Sequence, residues 1–207
     1  MTEESRQIVE RLRAINTEEI AFIHEREPFR FLVTVILSAS NTDIAAEKSA
    51  AKLFGALPTP KDIDDADISV VEDLIRSSGL SRNKSRSIKA LAHVVVTEGK
   101  IPETIPLLTK IQGIGVKTAN CYLVSVLGLP GVIVDTHFAR TSFRLGLSNT
   151  DDRDKCYKYI RENYPDDMWS DMSMMVNKLG RDFCHARKPD CAGCPLADLC
   201  PSRSVSA

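Results

Sequence analysis

The sequence predicts an all-α protein, and three observations carry that reading. Apolar residues recur at three- and four-residue spacing in nearly every segment between breaks. No segment keeps the period-two alternation of a half-buried strand. The breaks are helix punctuation, with Pro at first turns, Gly after last turns, and Asn, Thr or Asp at caps. With 207 residues the chain can form one large domain or two small ones.

Ile8, Leu12 and Ile15 share one face of a first helix, with Arg and Glu opposite. Pro28 suits the first turn of a second, Phe29 to Ser38. That helix is apolar nearly all round, which marks it as buried and central. Its β-branched content would also allow a strand, but its length and neighbours favour helix. After the polar break Ser38–Asp43, one of Asn41, Thr42 or Asp43 caps a helix from Ile44 to Phe54. Leu57-Pro58-Thr59-Pro60 reads as a turn, and a short helix spans about Val70 to Arg76. Gly79 closes it, with Leu80 as a hydrophobic cap contact. The next helix carries Ile88, Leu91, Ala92 and Val95 on its apolar side.

Pro102 and Pro106 bracket a short helix that leads into Ile111-Gln112-Gly113-Ile114-Gly115. Both glycines sit where a turn between two helices needs positive φ and close backbone approach. A helix from about Val116 follows, with Ala119, Tyr122, Leu123 and Val126 on its apolar face. Gly128, Pro130 and Gly131 break the chain, and Asp135 caps a helix through Phe138, Phe143 and Leu145. On that helix Arg140 and Arg144 share a face, as phosphate contacts or as solvated residues. Two more helices span Asp151 to Tyr164 and Met168 to Phe183, the methionines of the latter packing a core.

The composition, 43% hydrophobic and 27% charged, is that of an ordinary globular protein. No apolar run approaches the roughly 20 residues of a membrane span. The opening Met1-Thr2-Glu3-Glu4-Ser5-Arg6 lacks a signal-peptide layout, so a cytoplasmic location is expected. A net charge of −1 gives no long-range attraction to nucleic acid, so any such contact must be local. One candidate patch is Arg76, Arg82, Lys84, Arg86 and Lys89, after an acidic stretch from Asp62 to Asp73. From charge alone both read as solvated helix faces.

Two stretches carry chemistry. The first turn after Gly115 offers unpaired backbone N–H groups, a ready phosphate site. It holds Lys117 where an acidic residue is usual. The positive end of the helix dipole disfavours an ammonium there, and a nucleophile needs the free amine. The second is Cys184-x6-Cys191-x2-Cys194-x5-Cys200, with Pro189, Gly193 and Pro195 at the bends. Four soft thiolates in so short a loop suit zinc or an iron–sulfur cluster. Among the six cysteines, Cys121 and Cys156 instead lie among apolar helical neighbours and read as small buried hydrophobes.

Gly113-Ile114-Gly115-Val116-Lys117-Thr118-Ala119-Asn120, followed by Val134-Asp135-Thr136-His137, resembles the endonuclease III family of DNA glycosylases. The cysteine loop resembles the one that ends the same family, so the likeness runs from about Pro28 to Cys200. It implies two helical domains flanking a DNA-binding cleft: residues 21–129 as a six-helix barrel with the hairpin, and 1–20 with 130–207 as the cluster domain. It implies Lys117 as Schiff-base nucleophile, assisted by Asp135, in a glycosylase and AP lyase acting on oxidised or ring-fragmented pyrimidines. One 4Fe–4S cluster on Cys184, Cys191, Cys194 and Cys200 is implied too, with Arg187 and Lys188 turned to phosphate. The expected partner is damaged or abasic double-stranded DNA, the expected state a monomer, and no membrane is involved. Gly113 and Gly115 join the DNA contacts. Leu80 takes the place of the family's wedge residue, which enters the base stack. Ser38-Ala39-Ser40-Asn41-Thr42-Asp43 aligns with the family's LSxQxTD pattern, making Ser38 and Asp43 pocket candidates. Ser40 replaces the glutamine that fills the vacated base position, so either Asn41 substitutes or the opposite-strand contact weakens. Asp190 stands where a basic residue is frequent, which implies a weaker grip on DNA. The rivals are a mismatch-specific or monofunctional glycosylase of the same superfamily, and a non-catalytic iron–sulfur DNA-binding protein.

Overall fold

The computed structural model describes residues 1–203, and among these every regular element is helical. The chain forms two compact units, residues 22–129 and residues 1–21 with 130–207.

The first unit is built round α2 (Pro28–Ser38), which is buried from Phe29 through Leu37 except at Arg30. Pro28 opens it and the Glu27 carboxylate accepts from the Phe29 and Arg30 amides. Helices α3 (Asp43–Ala56), α6 (Ser81–Glu98) and α8 (Val116–Ser125) pack against α2. Thr42 is the cap of α3, and Asp43 is its first residue rather than a cap. Residues 57–60 are not only a turn: α4 (Pro60–Asp65) follows at once, its N-terminus capped by reciprocal bonds between Thr59 and Asp62. Then come α5 (Ile68–Leu74), a single 3₁₀ turn at Arg76–Ser78, and α7 (Ile105–Leu108), whose Pro106 lies inside its first turn.

The basic patch is smaller than expected. Lys84 is buried at 4% exposure, and its ammonium donates to the carbonyls of Leu37 (2.8 Å) and Ser78 (2.7 Å). Lys89 donates to Ile63 (3.1 Å), Asp64 (2.9 Å) and Ala66, closing the end of α4. Carbonyls at helix ends attract cations, so two residues of the apparent patch serve the interior. Arg82 and Arg86 stay exposed.

The second unit joins α1 (Glu3–Ile15), α9 (Thr136–Arg144), α10 (Arg153–Asn163) and α11 (Trp169–Asp182) round a core that includes Leu12, Phe138, Ile160 and Met172. Cys156 is fully buried in this core, and Cys121 packs half-buried on the core of the other unit. Residues 131–134 lie outside any helix and are buried. Their backbone donors are met by serines of α11, Gly131 by Ser170 (3.3 Å) and Ile133 by Ser173 (2.9 Å). Where α9 meets α11, a Cβ on Gly180 would stand 2.6 Å from Thr141 Oγ1 and 3.1 Å from the His137 carbonyl, so only glycine fits.

Candidate DNA-repair site and cluster loop

The hairpin comprises α7, the turn through Gly113, and α8. Gly113 has φ +83°, and a Cβ there would stand 2.6 Å from the Cβ of Ser87 on α6, closer still to its hydroxyl. Both demands expected of this glycine are therefore met. Gly115 is different: it takes an extended φ of −89°, with open space where a Cβ would go. It needs neither positive φ nor close approach. Its place is the N-cap of α8, where it contributes no side chain to cover the first-turn amides. Lys117, the second residue of α8, is exposed at that end.

Three non-glycine residues among those described have positive φ: Ser40 (+56°), Leu80 (+51°) and Lys188 (+51°). Left-handed backbone costs a side-chain-bearing residue roughly 1–2 kcal/mol, and such strain collects at functional segments. All three are among the DNA contacts that the family resemblance implies. Ser40 and Leu80 are exposed, Leu80 at 61%. Leu80 opens α6 without burying itself, so the cap-contact reading does not hold. Asn41, next to Ser40, uses its side-chain oxygen on the Thr42 amide (3.0 Å), while its buried Nδ2 donor has no partner. Ser38 Oγ donates to the Val35 carbonyl (2.9 Å).

Asp135, in the other unit, caps α9 by accepting from the Phe138 amide at 2.8 Å. Arg140 and Arg144 neither face solvent fully nor wait for phosphate. Arg140 donates to the carbonyls of Cys184 (2.9 Å) and Gly180 (2.9 Å). Arg144 donates to the carbonyls of His185 (2.7 Å) and Ala186 (3.2 Å) and to Cys184 Sγ (3.5 Å). Together they fasten the start of the cysteine loop to α9. Their i,i+4 spacing was visible in the sequence, but their partners lie about 40 residues away.

Cys184, Cys191, Cys194 and Cys200 line one hollow that opens to solvent, with Leu145, Leu179, Phe183, Pro189 and Ala197 among its walls. Burial pushes the thiols of Cys194 and Cys200 up, and the neighbouring sulfurs add to the shift. Four soft donors round an apolar hollow fit a cationic iron–sulfur core, which would hold them as thiolates. His185 is exposed and does not line the cavity. Asp190 is explained by the loop itself: its carboxylate accepts from the Gly193 amide at 2.9 Å and shapes the Cys191–Cys194 turn. Arg187 and Lys188 are exposed.

This all-helical fold with its glycine hairpin defines a helix-hairpin-helix protein, and the model of the HhH-GPD superfamily of base excision DNA repair proteins matches residues 33–166. The iron–sulfur binding domain of endonuclease III matches residues 184–200. Endonuclease III of Synechocystis is 37% identical over 86% of this chain and 83% of its own length. That of Escherichia coli K12 is 30% identical over 94% and 93%. A solved structure of a trapped endonuclease III–DNA covalent intermediate superposes with TM-score 0.89 at 32% identity, covering 98% of this chain and 97% of that one. The chain belongs to the endonuclease III family. A thermostable thymine-DNA glycosylase, 21% identical with TM-score 0.83, shares the fold.

Proposed function

We propose that the chain is a base-excision-repair DNA N-glycosylase with AP lyase activity, acting on oxidised pyrimidines in duplex DNA. The observation that carries this is Lys117, an exposed amine in the first turn of α8 within a glycine hairpin of the endonuclease III type. Membership in the family makes damaged duplex DNA the partner and one 4Fe–4S cluster the cofactor. The cytoplasm is the compartment that fits a DNA substrate. No described helix is long and apolar enough to cross a membrane.

A damaged nucleotide must leave the stack before its C1′ is reachable. The Lys117 amine then attacks C1′, and the base leaves with the electrons of the glycosidic bond. Asp135 takes the proton that the lysine sheds, or offsets positive charge on the opening sugar. The nitrogen lone pair then breaks the C1′–O4′ bond, O4′ takes a proton as the sugar opens, and the resulting C1′ imine acidifies C2′–H. Loss of that proton sends its electrons into a C2′–C3′ double bond, and the 3′ phosphate leaves. Water hydrolyses the imine and frees Lys117. Gly113 and Gly115 bring backbone amides to phosphate, Leu80 enters the stack, and Ser40 with Asn41 meets the opposite strand. Cys184, Cys191, Cys194 and Cys200 hold the cluster, whose part is to fix the loop that presents Arg187 and Lys188 to phosphate.

Nicking of a duplex carrying one 5,6-dihydroxy-5,6-dihydrothymine tests the function. Cleavage 3′ to the lesion, abolished in Lys117→Ala with DNA binding kept, is the expected result. Wild-type cleavage surviving in that variant would overturn the assignment.

A further inference from the structure

Lys84 has no part in the chemistry above, yet it is a lysine held almost wholly away from water. Its ammonium joins two carbonyls that are distant in sequence, Leu37 at 2.8 Å and Ser78 at 2.7 Å. Each lies at the root of a strained segment. Leu37 is in the last turn of α2, three residues before Ser40 with φ +56°. Its carbonyl is one that a helix end leaves over, because the Asn41 amide turns to Ser38 instead. Ser78 ends the 3₁₀ turn, and Gly79 and Leu80 follow it in positive-φ conformations of +66° and +51°. One buried cation therefore ties together the bases of the two loops that present Ser40–Asn41 and Leu80.

Burying an ammonium is unfavourable, and burial pushes the Lys84 pKa down. An interior chosen for stability alone would gain as much from an apolar side chain and loops capped separately. A shared donor does something that separate caps do not: it fixes the distance and register between the two loops. The exposed Leu80 side chain and the Ser40 turn are then held as one rigid element before DNA arrives, which lowers the ordering cost of inserting them.

We propose that Lys84 is a positioning residue that locks the Ser40–Asn41 and Leu80 loops into a single DNA-entering unit, so that its ammonium is needed to distort duplex DNA but not for attack on the sugar. This rests on the reading of Ser40, Asn41 and Leu80 as the residues that enter the helix.

The test compares wild type with Lys84→Met, which keeps the stem and loses the donors, and Lys84→Arg, which restores them. Borohydride trapping is timed on one abasic oligonucleotide, single-stranded and as a duplex with 2-aminopurine opposite the abasic site. The expected result for Lys84→Met is a duplex trapping rate at least tenfold lower and a lost 2-aminopurine response, with single-strand trapping within about twofold of wild type. Lys84→Arg regains most of both. Equal losses on the two substrates, or no loss on either, would overturn the proposal. If Lys84→Met does not fold, Lys84→Gln, with one amide donor, is read by the same criteria. Leu80→Ala, run alongside, separates the two layers of inference. A normal 2-aminopurine response in Leu80→Ala sinks the DNA-entry reading and the proposal with it. A lost response there, with Lys84→Met normal, sinks the proposal alone.

Discussion

Replacing Gly113 by alanine tests how the hairpin is built. Two separate costs follow from the structure. At φ +83° an alanine meets the left-handed penalty, about 1–2 kcal/mol. Its Cβ would also stand 2.6 Å from the Cβ of Ser87, a collision worth about 1–3 kcal/mol in a packed site. Gly113→Ala should therefore lose about 2–5 kcal/mol, read as a lower urea midpoint at unchanged slope. Ser87→Gly removes the obstructing atoms and leaves only the Ser87 Cα, at 3.6 Å. That change has its own helix-propensity cost of about 0.5–1 kcal/mol, so the useful quantity is the coupling in a double-mutant cycle. The coupling should be favourable by about 1–3 kcal/mol, with the left-handed penalty persisting. Gly115→Ala, at an extended φ with open space, should cost less than about 1 kcal/mol. Equal losses for the two glycines, or zero coupling to Ser87, would refute the assignment of roles within this turn.

Asp135→Asn should separate capping from chemistry: Asn caps as well as Asp, so stability should hold within about 0.5 kcal/mol while single-turnover excision falls roughly 10²–10⁴-fold. A large loss of stability with near-normal excision would make Asp135 a cap only. Arg140→Ala leaves the Cys184 and Gly180 carbonyls without this donor and should cost about 2–4 kcal/mol, with earlier loss of the cluster's visible absorbance in a urea titration. Absorbance loss at the wild-type urea concentration would show that the arginine does not fasten the loop. Lys89→Met should cost about 1.5–3 kcal/mol, against near-neutrality for Arg86→Met on the same helix, by urea midpoint. Similar costs for the two would return Lys89 to the solvated face.

Much of the chain was legible because local chemistry decided it. The all-round apolar run of α2 could be satisfied only by burial, and Thr42 and Asp135 cap helices because short oxygen side chains reach first-turn amides. The cysteine loop was legible in the same way, since four thiols close together in sequence line one cavity. What was hidden depended on partners that sequence distance conceals. Helix α4 buries only Ile63 and shows no periodicity, although Thr59 and Asp62 already stood at capping-box spacing. Lys84 and Lys89 counted as surface charge because nothing local announces a carbonyl 47 or 26 residues back. The glycines of the hairpin look alike in sequence and differ in φ by the sign that decides whether a side chain is tolerated. Asp190 was read against DNA, whereas the turn it stabilises is its immediate task.

The central claim is that Lys117 forms a covalent imine with the sugar of a damaged nucleotide. Borohydride reduction of the protein on a duplex with one abasic site measures this directly, with Lys117→Ala as its control. The account predicts a stable protein–DNA adduct for the wild type, joined through Lys117, and none for the variant. A folded, cluster-bearing wild type that binds the duplex and yields no adduct would contradict the account, leaving a monofunctional glycosylase or a DNA-binding protein in which Lys117 only touches phosphate.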